Sequence, residues 1–205
     1  MILNQKLDEY HEIVAKGNLQ NLISNVFKID YFECNVKMEQ DNANSSLIQR
    51  MLQEFPYSPS SLSVIDAALD LAEFKPNDVF TDLGCGDGTV LIRASERFGV
   101  FSVGFEINSK LVKMAKTKAK ASGFKNLIEI VHADLFKIDI SRFNVIYVYP
   151  YPPVVRSLSD KIAEECKKGS RILVHDYALK NLQPTKTVQI AGSSFHTHTI
   201  YLYKL

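Results

Sequence analysis

Apolar positions along this chain recur in two rhythms, one of about 3.6 residues and one of two, and the switches between them lay out the elements. Leu3, Leu7, Tyr10 and Val14 fall on one helical stripe that Gly17 stops, and Asn18 caps a second stripe of Leu19, Leu22, Ile23, Val26 and Phe27. Phe32, Cys34, Val36 and Met38 alternate with polar residues as in a short edge strand. Asp41 to Asn44 reads as a loop, and Ser46 with Gln49 opens a short helix through Phe55. Beyond Pro56 a helix carries Val64, Ile65, Ala68 and Leu71 on its buried side, and the turn at Lys75-Pro76-Asn77-Asp78 leads into a strand starting at Val79. Strand-like runs then follow at 101–105, 127–131, 143–149 and 171–177, separated by helical stripes from Val90, over 109–122 with Asn108 as cap, and over 155–166. Two closing strands, 187–190 and 196–203, pair antiparallel across residues 191–194. This alternation predicts an α/β fold over residues 55–205, preceded by a mainly helical extension or cap over 1–54 in which no catalytic constellation stands out.

Composition narrows the class. With 205 residues, 46% hydrophobic and 23% charged, the chain suits one well-cored domain with an appendage. Its 24 basic and 23 acidic side chains leave a formal net charge of +1, so no overall field draws it to nucleic acid or anionic lipid. Cys34, Cys85 and Cys166 are odd in number and far apart, as suits reduced thiols in a cytoplasmic protein and not a metal site or redox pair. No apolar run approaches the ~18 to 20 residues that span a bilayer. Asp8, Glu9 and Glu12, with no cleavable apolar segment, argue against secretion or organelle import.

The chemistry concentrates where the strand from Val79 meets Asp82-Leu83-Gly84-Cys85-Gly86-Asp87-Gly88. Glycines spaced by two let the backbone take positive φ and let a ligand lie against main chain. The dinucleotide fingerprint Gly-x-Gly-x-x-Gly fails here, because its last position is Thr89. Asp82 and Asp87 would repel a pyrophosphate but attract a ligand bearing a sulfonium and an ammonium, such as S-adenosyl-L-methionine. Glu106, at the end of the next strand, can accept from both ribose hydroxyls. Asp134, ending the strand after that, can accept from an adenine amine while Leu135 and Phe136 pack near the ring.

Asp82 to Gly88, Glu106 and Asp134 resemble the first three signature motifs of class I S-adenosylmethionine-dependent methyltransferases, over about the last three quarters of the chain. The resemblance implies a Rossmann-like three-layer αβα sandwich with a seven-strand, mostly parallel sheet and an antiparallel last strand. It also implies cofactor contacts from Asp82, Gly84, Gly86, Gly88, Glu106, Asp134 and Leu135. The run Pro56-Tyr57-Ser58-Pro59-Ser60, the Val174-His175-Asp176-Tyr177 stretch and the closing residues 198–203 are similar to segments of the small archaeal protein lysine methyltransferases and their mitochondrial relatives. By that likeness Tyr57 and Ser60 lie near the cofactor carboxylate or the transferred methyl; the alternative is that Ser60 caps a helix and Tyr57 packs.

Tyr149, Pro150 and Tyr151 lie at the carboxyl end of the run 143–149, where an open parallel sheet holds its ligand, and Tyr149 and Tyr151 are the candidate substrate channel with Tyr57. Nucleic-acid and glutamine amino methyltransferases often carry (Asn/Asp)-Pro-Pro-Tyr here, and this chain lacks the leading amide or acid. His175 and His198 are candidate bases, with hydrogen-bonded structure the expected role. The lysines of 109–122 read as a solvated face, the other reading being a surface for an acidic partner or a phosphate backbone. Methyl transfer is an in-line displacement that asks for neither metal nor covalent nucleophile, and none is expected. The expected activity is methyl transfer to a lysine presented by a protein. The alternatives are RNA, DNA or a small-molecule amine as acceptor, or a non-catalytic cofactor-binding domain.

Overall fold

In the computed structural model the described residues are 57–192 and 196–205, so the extension over 1–54 lies outside them, as do Ser193 and Ser194 of the closing turn. Helix α1 (Leu62–Leu71) buries Val64, Ile65, Ala68 and Leu69; Leu71, expected on that face, is half-buried beside it. Strand β1 (Val79–Leu83) follows, then α2 (Thr89–Phe98), β2 (Phe101–Glu106), α3 (Ser109–Ala121), β3 (Ile128–His132), β4 (Val145–Val148), α4 (Val155–Glu165), β5 (Arg171–His175), β6 (Lys186–Ala191) and β7 (Thr197–Lys204). Asn108 caps α3, its side-chain oxygen accepting from the amides of Lys110 and Leu111. Gly99 ends α2 in the left-handed region at φ 62°. Strand β4 is shorter than the run 143–149 because Pro150 follows at its end and a 3₁₀ turn, Pro152–Val154, leads directly into α4.

The seven strands form one sheet in the order β3-β2-β1-β4-β5-β7-β6. Neighbours from β3 to β5 pair in parallel, and β7 runs antiparallel to both β5 and β6. The alternation of side chains across a strand then builds two cores. Val145 and Tyr147 of β4 and Leu173 of β5 face α1, α2 and α3, whereas Ile146, Val148, Ile172 and Val174 face α4. That is the three-layer αβα sandwich expected. Successive connections leave β1 toward β2 on one side and reach β4 on the other, so the crevice opens at the carboxyl end of β1. The register sets Asp82 level with Gly104 of β2 and Tyr147 of β4.

Candidate active site

Gly84, Gly86 and Gly88 all take positive φ, at 84°, 54° and 79°. The turn they make is tied to β2: the amides of Gly84 and Cys85 both donate to the Phe105 carbonyl, at 2.8 and 3.0 Å. Glu106 links two loops, accepting from the Gly86 amide at 2.9 Å through Oε2 and from the Asn108 amide at 2.8 Å through Oε1. Each oxygen retains a second lone pair for a ligand. Gly104 is what lets the turn sit this close, since a Cβ there would lie 2.6 Å from the Cys85 sulfur.

These elements wall a cavity of about 350 Å³. All the residues expected to hold the cofactor line it: Tyr57, Ser60, Asp82, Gly84, Gly86, Glu106, Asp134 and Leu135, with the exception of Gly88, which lies under the turn against Ala115. Phe136 packs instead into the core on the α4 side. Tyr57 lies over the turn so closely that a Cβ on Gly86 would fall 2.4 Å from its ring. Its hydroxyl donates to Asp87, which also accepts from the Thr89 hydroxyl at 2.7 Å and from Lys118. Burial opposes the ionisation of Asp87, but these donors outweigh it and hold the carboxyl below its usual range. Lys118 excepted, the α3 lysines stand as the solvated face expected.

Asp82 is the contrasting case. It is only 3% exposed, and no donor among the described residues is assigned to its carboxylate. Burial first, then the neighbouring charges of Glu106 and Asp87, push its pKa well up. Burial, then the neighbouring acids Asp82 and Glu106, raise the Cys85 thiol, which keeps its proton and serves packing, not nucleophilic attack. A cavity with strained negative charge and, among its lining residues, no lysine or arginine fits a cationic ligand such as the methyl donor expected from the sequence.

The opposite wall is aromatic. Tyr149 and Tyr151 line it as expected, joined by Tyr147 and Tyr177. Tyr149 donates to Asp176 Oδ2 at 2.8 Å, its ring stacks on His175 with centroids 3.8 Å apart, and Tyr177 stacks beyond it at 6.3 Å. Burial raises the hydroxyl pKa of Tyr57, Tyr147 and Tyr149, so all three stay protonated. His175 is fully buried, with Nδ1 3.0 Å from the Tyr147 hydroxyl and Nε2 2.9 Å from His198 Nδ1. Burial pulls its pKa down to about 4, so the ring is neutral. Tyr147 escapes sequence reasoning because a tyrosine inside an apolar strand reads as core, and Asp176 is legible there only within a stretch similar to the archaeal enzymes, with no role of its own. The period-two spacing of Tyr147 from Tyr149 is the signal that could have found it.

The sequence profile of the family described as ANTKMT methyltransferase domain matches residues 82–186. The chain is 31% identical over 149 residues to a protein-lysine N-methyltransferase of Saccharolobus islandicus (strain REY15A), covering 72% of this chain and 92% of that protein. It is 27% identical over 135 residues to the mouse adenine nucleotide translocase lysine N-methyltransferase, covering 66% of this chain but only 58% of the mouse protein. Among solved structures it resembles an RNA methyltransferase from Salinibacter ruber in complex with S-adenosyl-L-homocysteine, at 35% identity and a TM-score of 0.67, covering 72% of this chain and 93% of that one.

Proposed function

The chain belongs to the family of the ANTKMT methyltransferase domain, and from that membership we propose that it transfers a methyl group from S-adenosyl-L-methionine to the side-chain amine of a protein lysine. The observation that carries the choice of acceptor is the tyrosine wall of the cavity: Tyr147, Tyr149, Tyr151 and Tyr177 line it, and among the described residues no lysine or arginine does. A phosphate backbone finds no basic partner there, whereas tyrosine faces and hydroxyls can hold and orient an amine.

When bound, the cofactor supplies a sulfonium-activated methyl group that leaves by in-line displacement. Asp82, Glu106 and Asp134 are the residues that would hold it, Glu106 and Asp134 accepting hydrogen bonds and Asp82 standing as counter-charge. Tyr57 lies over the glycine turn with its ring against Gly86. A lysine amine has a reference pKa of about 10.4 and must shed its proton before it attacks. The tyrosine wall disfavours the ammonium form by withdrawing water. Tyr149 commits its own proton to Asp176, so its hydroxyl oxygen is free to accept an amine N–H and aim the nitrogen lone pair. Alignment of this kind is worth up to ~7 to 11 kcal/mol in favourable cases.

Purified protein incubated with methyl-labelled cofactor and cell lysate tests the acceptor. Label is expected to survive nuclease, to disappear with protease, and to yield methylated lysine on hydrolysis. Label removed by nuclease would transfer the assignment to RNA, the acceptor named for the Salinibacter relative. Cofactor binding with no labelled acceptor of any kind would leave a binding domain.

A further inference from the structure

Behind Tyr149, and outside the cavity lining, His175, Asp176 and His198 bring one ligand atom each to within 4.8 Å of one another. We propose that these three side chains form a site for a divalent first-row transition ion of the zinc class, with His196 at its open side.

The spacing is that of a coordination shell. His175 Nε2 and His198 Nδ1 stand 2.9 Å apart, and Asp176 Oδ2 lies 3.6 and 3.3 Å from them. Zinc bonds of 2.0 to 2.2 Å in tetrahedral geometry separate neighbouring ligand atoms by about 3.4 Å, which those distances bracket. The contacts converge on one point. Asp176 Oδ2 accepts from the Tyr149 hydroxyl at 2.8 Å and lies 3.2 Å from His196 Nε2 and 3.3 Å from His198 Nδ1, while His175 Nε2 and His198 Nδ1 face each other at 2.9 Å. A ring nitrogen that is not donating carries a lone pair, so an ion placed among these groups would take one lone pair from each ring and one from the carboxylate.

The outer contacts point the same way. Metal-bound imidazoles and carboxylates are ordinarily held by a further hydrogen bond. Here His175 Nδ1 meets the Tyr147 hydroxyl, and Asp176 Oδ1 accepts the Thr199 amide at 2.8 Å. Adjacent residues of a strand point to opposite faces, so His175 and Asp176 could not share a ligand if β5 simply continued. Asp176 instead takes φ 60°, in the left-handed region that non-glycine residues seldom occupy, and this turns its carboxylate back beside the His175 ring. His198 arrives from β7, whose register sets Ile200 against His175.

The test reads metal and not methyl transfer, so it stands apart from the acceptor experiment. Protein stripped by chelator is titrated with zinc in a calorimeter, and with cobalt(II) in a spectrophotometer. The wild type is expected to take up one zinc per chain and to give the visible absorption of tetrahedral cobalt. His198→Ala, with its fold checked by circular dichroism, is expected to lose that stoichiometric site. Tyr147→Phe keeps every ligand but leaves His175 Nδ1 only its longer contact of 3.4 Å to the Ser60 hydroxyl, and is expected to weaken zinc binding by about 10-fold. Should His198→Ala not fold, Asp176→Asn replaces it, since Asn tolerates the left-handed backbone. Zinc uptake equal in wild type and the ligand variants, or absent from the wild type, would overturn the site and leave a hydrogen-bonded network only.

Discussion

Asp82 carries in one carboxyl much of what ties this site to its ligand. Its folded-state pKa is raised by burial and by Glu106 and Asp87. A raised carboxyl means that the folded protein holds a proton which the unfolded chain has lost, so the ligand-free protein loses stability as pH rises from the unfolded pKa through the folded one. A cationic ligand favours the ionised form. Affinity for S-adenosyl-L-methionine is therefore expected to increase with pH over the acid-to-neutral range, with proton release on binding. Calorimetry in buffers of different ionisation enthalpy measures both. Asp82→Asn is expected to flatten that dependence and to weaken binding about tenfold, roughly 1.4 kcal/mol. The acid was legible in the sequence because the glycines beside it announce a turn by local backbone chemistry alone. That no donor among the described residues reaches it was not, since that depends on what β2 and β4 place level with it.

At the scale of elements, the start of β5 is pinned by one buried ion pair. Arg171 and Asp78 meet at 2.6 Å with both side chains 6% exposed, and the guanidinium also donates to the Ala72 and Glu73 carbonyls just past α1. Among the described residues Arg171 Nε has no hydrogen-bond partner, so the network has no slack to absorb a loss. Asp78→Ala leaves a buried, unpaired charge and is expected to cost about 3 to 5 kcal/mol, read as a lowered midpoint in urea denaturation. Nothing in the spacing of Asp78 and Arg171 signals this pair, because parallel pairing through β4 brings them together across more than ninety residues. Elements themselves were more legible than their ends. Asn108 was readable as a cap because capping is a contact within one turn, whereas Leu69 in place of Leu71 on the buried face of α1 was decided by how the helix is rotated against the sheet.

For the whole molecule, the sandwich matters because it sets an acid-lined wall and a tyrosine wall across one cavity. Tyr149→Ala is expected to lower turnover at saturating cofactor by roughly 10- to 100-fold, through lost alignment, while cofactor affinity measured by calorimetry stays close to wild type. Unchanged turnover would remove Tyr149 from the acceptor channel. The alternating rhythms determined an α/β chain, and the glycine turn with its acids at successive strand ends determined the class of ligand, because both are written in short-range backbone and side-chain chemistry. Tertiary structure alone decided that β7 inserts between β5 and β6, and with it that His198 and His196 reach the His175-Asp176 corner. Strand order depends on long-range pairing that no local pattern encodes, and side chains from distant segments share a site only once that order is set.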